Sequence, residues 1–191
     1  MYKQCTTEKA ALQQRKIEEC LLTMMSEKPI SEISVSGLCE QTGLSRKTFY
    51  RLFESKSDVL CSLIDRTIRD FIHFHPGAER MVPGVPEELV AFYAYWKEQR
   101  QILDVLKKNG LSTMLFERCI HHVMKEETEI LLQLGLGPAQ SQNMETLLFV
   151  LSGLLTLIVS WHHTGYQKTP QQMAAITYEI LEAPPFRRQE K

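Results

Sequence analysis

From Gln41 to Lys56 the chain reads QTGLSRKTFYRLFESK, and its polar residues are of the types that meet a nucleic-acid duplex. Arg46 or Lys47 could reach a guanine edge, while Ser45, Tyr50 and Lys56 could hold backbone phosphates. Arg51 adds a cation, and Ser34, Ser36 and Thr48 add hydroxyls to complete the candidate set. Between Leu44 and Lys56 there are four basic residues (Arg46, Lys47, Arg51, Lys56) against one acid, Glu54, a local excess of three. The competing reading is a solvated amphipathic helix with a charged face. Four local signals in the same window weigh against it: a turn glycine, a helix cap, a hydrophobic staple and an inward stripe.

Each signal has a physical basis. Ser34 is placed to cap a short helix carrying Val35, Leu38 and Cys39 inward. Gly43 can take the left-handed conformation that ends it. Ser45 then caps a second helix, with Leu44 and Phe49 at staple spacing. Phe49, Leu52 and Phe53 share one face; Arg46, Lys47, Tyr50 and Arg51 lie away from it. A helix, a glycine turn and a second helix whose N-terminal half is polar outward is the helix-turn-helix plan, in which that half enters the major groove.

The elements around this window read as helices throughout, with apolar residues recurring at three and four and no strand alternation. The first is expected over Thr7 to Glu27, with Ile17, Cys20, Leu21, Met24 and Met25 inward and Pro29 closing it. The fourth is expected from Ser55, with Leu60, Leu63, Ile64, Ile68, Phe71 and Ile72 as its stripe, ending at His75-Pro76-Gly77. Gly77 to Pro86 holds Pro83, Gly84 and Pro86 and marks a boundary between a small head and a larger body. In the body, helices are expected over Glu87–Lys108 (bent near Glu98–Gln101), Thr113–Leu134, Ser141–His163 and from Pro170 to Leu181. GLGP at 135–138 is read as a turn, and Pro184-Pro185 as the start of a tail.

The net charge of the 191 residues is −1, with 43% hydrophobic and 24% charged residues, so a DNA contact must come from a local patch rather than a basic coat. Cys5, Cys20, Cys39, Cys61 and Cys119 show no CxxC spacing and are read as reduced, buried thiols, which with the absence of an apolar N-terminal run points to a cytoplasmic protein. The most apolar stretch, Leu147 to Trp161, spans 15 positions. That is short of the roughly 20 a membrane helix needs, so a buried or subunit-facing helix is expected.

Ser34 to Phe53, SVSGLCEQTGLSRKTFYRLF, followed by ESKSDVL, resembles the DNA-binding domain of the TetR family of bacterial transcriptional regulators. Gly43, Leu44, Ser45, Phe49, Tyr50, Phe53 and Lys56 match the motif in register, and the similarity covers about residues 11 to 71. Pro29 departs from the family's usual glycine, which should change the connection into the second helix, and Ser36-Gly37 replaces a commonly charged pair. The resemblance implies an all-α fold: a helix-turn-helix domain over 11–71 with its motif at 34–53, joined by a linking helix to a helical regulatory and dimerisation domain over 85–183. It implies a recognition helix at Ser45–Arg51, a homodimer on a palindromic operator, repression, and release by a small, apolar or aromatic effector. The alternative is control by a protein partner.

In the body, Phe92, Tyr93, Trp96, Phe116, His121, Met124 and Trp161 are candidate pocket residues, although each suits a core equally well. Leu147, Leu151, Gly153, Leu154 and Ile158, with Ile176 and Ile180 of the last helix, are the expected dimer interface, because a helix apolar nearly all round must be covered on both sides. His121-His122 beside Cys119, and His162-His163, lack the spacing of a metal site. No phosphate loop, nucleophile elbow or HExxH pair is present, so no enzyme, metal or cofactor is expected.

Overall fold

Local caps set the helix boundaries. The computed structural model describes residues 7–72, 74, 82–125 and 144–182, and among these it shows nine α-helices and no strand. Helix α1 spans Glu8–Glu27; Thr7 caps it by accepting the Ala10 N–H at 3.2 Å. A 3-10 turn at Ile30–Glu32 follows Pro29, then α2 (Val35–Thr42), α3 (Arg46–Leu52) and α4 (Lys56–Ile72). Ser55 and Asp58 form a reciprocal capping box: the Asp58 N–H donates to Ser55 Oγ and the Glu54 N–H to Asp58 Oδ2, both at 3.1 Å.

The bend expected near Glu98–Gln101 is a break. Helix α5 (Glu87–Glu98) stops at Gln99 and α6 (Arg100–Lys108) begins at once. Gly110, at φ +66°, ends α6; α7 (Ser112–Lys125), α8 (Met144–His163) and α9 (Pro170–Glu182) follow. The expected helix end at 75–77, the span of α7 from 126 to 134, the 135–138 turn, the start of the long helix at 141–143, the tail and Cys5 lie outside the described residues.

Packing divides the chain into two compact units that do not follow chain order. The first holds the chain through Arg69 together with Gln101–Cys119; the second holds Asp70–Arg100 and the chain from Ile120 on. Residues 101–119, assigned to the body from sequence, therefore pack with the head.

In the first unit, α1 packs against α2 and α2 against α3. Ile17, Leu21 and Met25 on α1, Leu38 on α2, Phe49 on α3 and Leu60 on α4 are at most 1% exposed. Burying a side chain of this size contributes about 1.5–3 kcal/mol. Cys20, expected on the inward stripe, is half-buried, while Glu18 is buried on it. Ser62 Oγ donates to Glu18 Oε1 at 2.5 Å and Arg66 Nε to Oε2 at 2.7 Å, tying α1 to α4. A second buried acid, Asp65, takes a bidentate fork from Arg118 on α7, with Nε to Oδ1 at 2.6 Å and Nη2 to Oδ2 at 2.5 Å. Neither acid was picked out in the sequence.

The second unit is built around α5, whose residues Leu89 to Trp96 are all buried. Helix α9 packs along it, and α8 contacts it. Thr177 Oγ1 donates back to the Met173 carbonyl at 2.9 Å, so the 2.6 Å contact with the Tyr93 hydroxyl has tyrosine as donor. Tyr93 meets Trp161 edge-to-face with centroids 5.6 Å apart, and Trp161 meets Tyr166 at 4.8 Å. By length and composition alone α8 could cross a membrane. Its Leu147, Leu151, Leu154, Leu155 and Ile158 are instead buried within this chain.

Removing Arg118 would strand the Asp65 carboxylate in the interior. Arg118→Ala is expected to lower unfolding free energy in urea by about 3–5 kcal/mol, and the double variant Asp65→Leu/Arg118→Leu to regain most of it. Equal losses in both would show that the pair is not the cause. Burial, with Asp65 nearby, pushes the Cys119 thiol up to about 12, so almost no thiolate forms at pH 8. A maleimide at that pH should leave Cys119 unmodified in the folded protein and label it in urea; labelling of folded Cys119 as fast as half-buried Cys20 would contradict this.

Candidate nucleic-acid interface

The turn between α2 and α3 is fixed by hydrogen bonds that only one backbone shape allows. Ser34 Oγ caps α2 by accepting the Gly37 N–H at 3.0 Å. At the other end Gly43 is left-handed, with φ +67°. Its N–H donates to the Glu40 carbonyl at 3.2 Å, and the Leu44 N–H reaches back to Cys39 at 3.1 Å. This is a Schellman motif, and a side chain at Gly43 would be strained in it. Two residues later Ser45 Oγ accepts the Thr48 N–H at 3.1 Å and starts α3.

Helix α3 then sorts its residues by face. Phe49, Leu52 and Phe53 are buried, with Phe49 and Phe53 rings 5.8 Å apart. Ser45, Arg46, Lys47, Tyr50 and Arg51 are exposed, Tyr50 at 48%. Arg46 and Tyr50 are four residues apart and Lys47 and Arg51 likewise, so the four form one continuous outward surface. Arg51 Nη2 donates to Gln13 Oε1 on α1 at 2.8 Å, which gives that guanidinium a fixed direction. Thr48 is half-buried; Ser36 on α2 is exposed, and Ser34 is engaged as a cap.

Lys56 differs from its expected role. It is half-buried, and its ammonium donates to the Ile30 carbonyl at 2.6 Å and to the Ile33 carbonyl. Two of its three protons thus hold the backbone that leads into α2, and the outward cations of the window are Arg46, Lys47 and Arg51. Gln13 and Lys56 as internal supports were not legible in the motif, because both partners lie far off in sequence.

The body residues are also re-sorted. Phe92, Tyr93, Trp96 and Trp161 are buried in the second unit, and His121 is half-buried there. Met124 is 60% exposed, against its expected place in a pocket, and Phe116 belongs to the first unit. Of the expected dimer residues, Leu147, Leu151, Leu154 and Ile158 are core, at most 4% exposed. Ile176 is half-buried, and Gly153 and Ile180 face outward. The outward stripe of α8 runs instead through Phe149, Gly153, Thr156 and Ser160. Among the described residues no three His, Cys, Asp or Glu side chains are grouped to hold a metal.

No family model matches the chain. Curated relatives are the HTH-type transcriptional regulator EthR of Mycobacterium tuberculosis H37Rv, 42% identical over 45 residues (24% of this chain, 21% of the relative), and EthR of Mycolicibacterium smegmatis, 37% identical over 67 residues (35% and 31%). The match thus spans less than a third of each relative's length. The crystal structure of Lin0861 from Listeria innocua shares the fold with a TM-score of 0.66, covering 95% of this chain and 96% of that one at 17% identity. Motif, head geometry and relatives agree: over the matched stretch this chain is similar to HTH-type transcriptional regulators, and its α2–turn–α3 geometry is that of a helix-turn-helix.

Proposed function

We propose that this protein is a DNA-binding transcriptional regulator that reads a palindromic operator as a homodimer. The observation that carries the reading is the outward face of α3, where Arg46, Lys47, Tyr50 and Arg51 stand exposed over a buried aromatic base. Arg46 and Lys47 are the candidates for base edges, and Ser45 and Tyr50 for phosphates. The curated relatives are HTH-type transcriptional regulators, which supports the same role.

A homodimer explains a feature the single chain leaves unexplained. Gly153 sits in the middle of α8 at a cost of about 1 kcal/mol relative to alanine. Among the described residues, nothing beyond its own helix backbone lies within 4 Å of where its Cβ would be, so packing among them does not require glycine there. Thr156 and Ser160 share its outward face, and Phe149 is 70% exposed on the same face. A second copy of α8 laid against that face would cover Phe149 and use the missing side chain for close approach. Two-fold symmetry then gives half-sites about one helical turn apart. Repression, relieved by a small apolar or aromatic effector bound in the second unit, is the mode of control we favour; a protein partner is the alternative.

Selection of duplexes from a random pool at two salt concentrations should return a palindromic motif, with affinity falling steeply as salt rises. On that duplex, Lys47→Ala and Tyr50→Ala are each expected to cost about 1–3 kcal/mol of binding with unchanged thermal unfolding; undiminished binding in both would remove α3 as the reader. In sedimentation at micromolar concentration the protein should be a dimer and Gly153→Trp a folded monomer. A monomeric wild type, or a dimeric Gly153→Trp, would rule out this interface.

A further inference from the structure

The connection between α1 and α2 is held by side chains from other parts of the first unit. Several of its backbone groups have side-chain partners from outside the segment. Helix α1 ends with carbonyls that no intrahelical N–H reaches. Lys108 Nζ, the last residue of α6, donates to two of them, Ser26 at 2.6 Å and Glu27 at 3.1 Å. Pro29 has no N–H to offer and fixes its φ at −58°. The Ile30 N–H donates to Asn109 Oδ1 at 2.8 Å. The Ile30 and Ile33 carbonyls accept from Lys56.

Asn109 is itself fixed in place. Its Nδ2 donates to the Val105 carbonyl at 2.8 Å, which sets which end of the amide faces Ile30. The turn it occupies is closed by Gly110 at φ +66° and by the Leu111 N–H on the Leu106 carbonyl at 2.8 Å. The α6–α7 turn therefore presents one acceptor and one cation to the segment that delivers the chain to Ser34, the cap of α2.

We propose that Asn109 and Lys108 are positioning residues for DNA reading: by fixing the Ser26–Ile33 backbone they seat α2, and through the α2–α3 turn they aim the outward face of α3. This rests on the reading of α3 as the DNA-contacting helix. It also gives Pro29 a use, since a connection with a fixed φ and one donor fewer transmits the position of the α6–α7 turn more stiffly than a glycine would.

The test compares Asn109→Leu, Asn109→Asp and Lys108→Met with the wild type. For each, affinity is measured for the duplex selected from the random pool and for an unrelated duplex, at one salt concentration, alongside the thermal midpoint and amide exchange at Ile30. Asn109→Leu and Lys108→Met are expected to lower the specific-to-unrelated ratio by about tenfold, and Asn109→Asp, which still accepts from Ile30, by less than about threefold. A merely structural role would lower both affinities together and leave the ratio unchanged, and that result overturns the proposal. If Asn109→Leu does not fold, Lys108→Met decides it by the same ratio. A wild type that selects no duplex strikes the reading of α3 instead. The proposal then falls with that reading, whereas unchanged Ile30 exchange in both Asn109→Leu and Lys108→Met overturns the clamp itself.

Discussion

A helix of seven residues is too short to persist in water by itself, since isolated helices below about 12–15 residues are marginal. Helix α3 exists because its surroundings hold it. Phe49, Leu52 and Phe53 anchor one face in the core of the first unit, and the left-handed Gly43 and the Ser45 cap fix where it starts. Its outward face is then a consequence: with the apolar residues turned in, Arg46, Lys47, Tyr50 and Arg51 have no other place to go. An outward surface of this kind is as rigid as its anchors, which suits the proposed task of aiming side chains at base edges.

The same unit carries buried charge in two places, and both tie α4 down. Glu18 with Ser62 and Arg66 joins α4 to α1, and Asp65 with Arg118 joins it to α7. Such pairs add little net stability but make any rearrangement that separates them costly. The Ser26–Ile33 connection is held in the same spirit by Lys56, Lys108 and Asn109. Polar side chains from helices outside the α2–α3 motif thus determine where that motif is held.

The parts legible in the sequence were those whose causes are local. Ser34, Gly43, Ser45 and the Ser55–Asp58 box act over two to five residues, and each fell where its type predicts. The all-helical class followed from periodicity over whole segments. Glu18 and Asp65 were missed because their partners lie 44 to 53 positions away. A charged residue on an otherwise apolar stripe, as Glu18 is between Ile17 and Leu21, was the available signal. Lys56 matched its motif position yet turns inward, since a motif fixes residue type and not the direction of a long side chain. On α8 the sequence could not say which apolar face was which, because nearly every face is apolar; only the folded packing separates buried Leu151 and Ile158 from exposed Phe149.

Amide and side-chain NMR shifts of the labelled protein, titrated with the selected duplex, test the assignment of α3 most directly. The expected result is that the largest changes fall on Ser45, Arg46, Lys47, Tyr50 and Arg51, with Phe49 and Phe53 little moved. Changes concentrated elsewhere, with those five residues silent at saturating duplex, would contradict it.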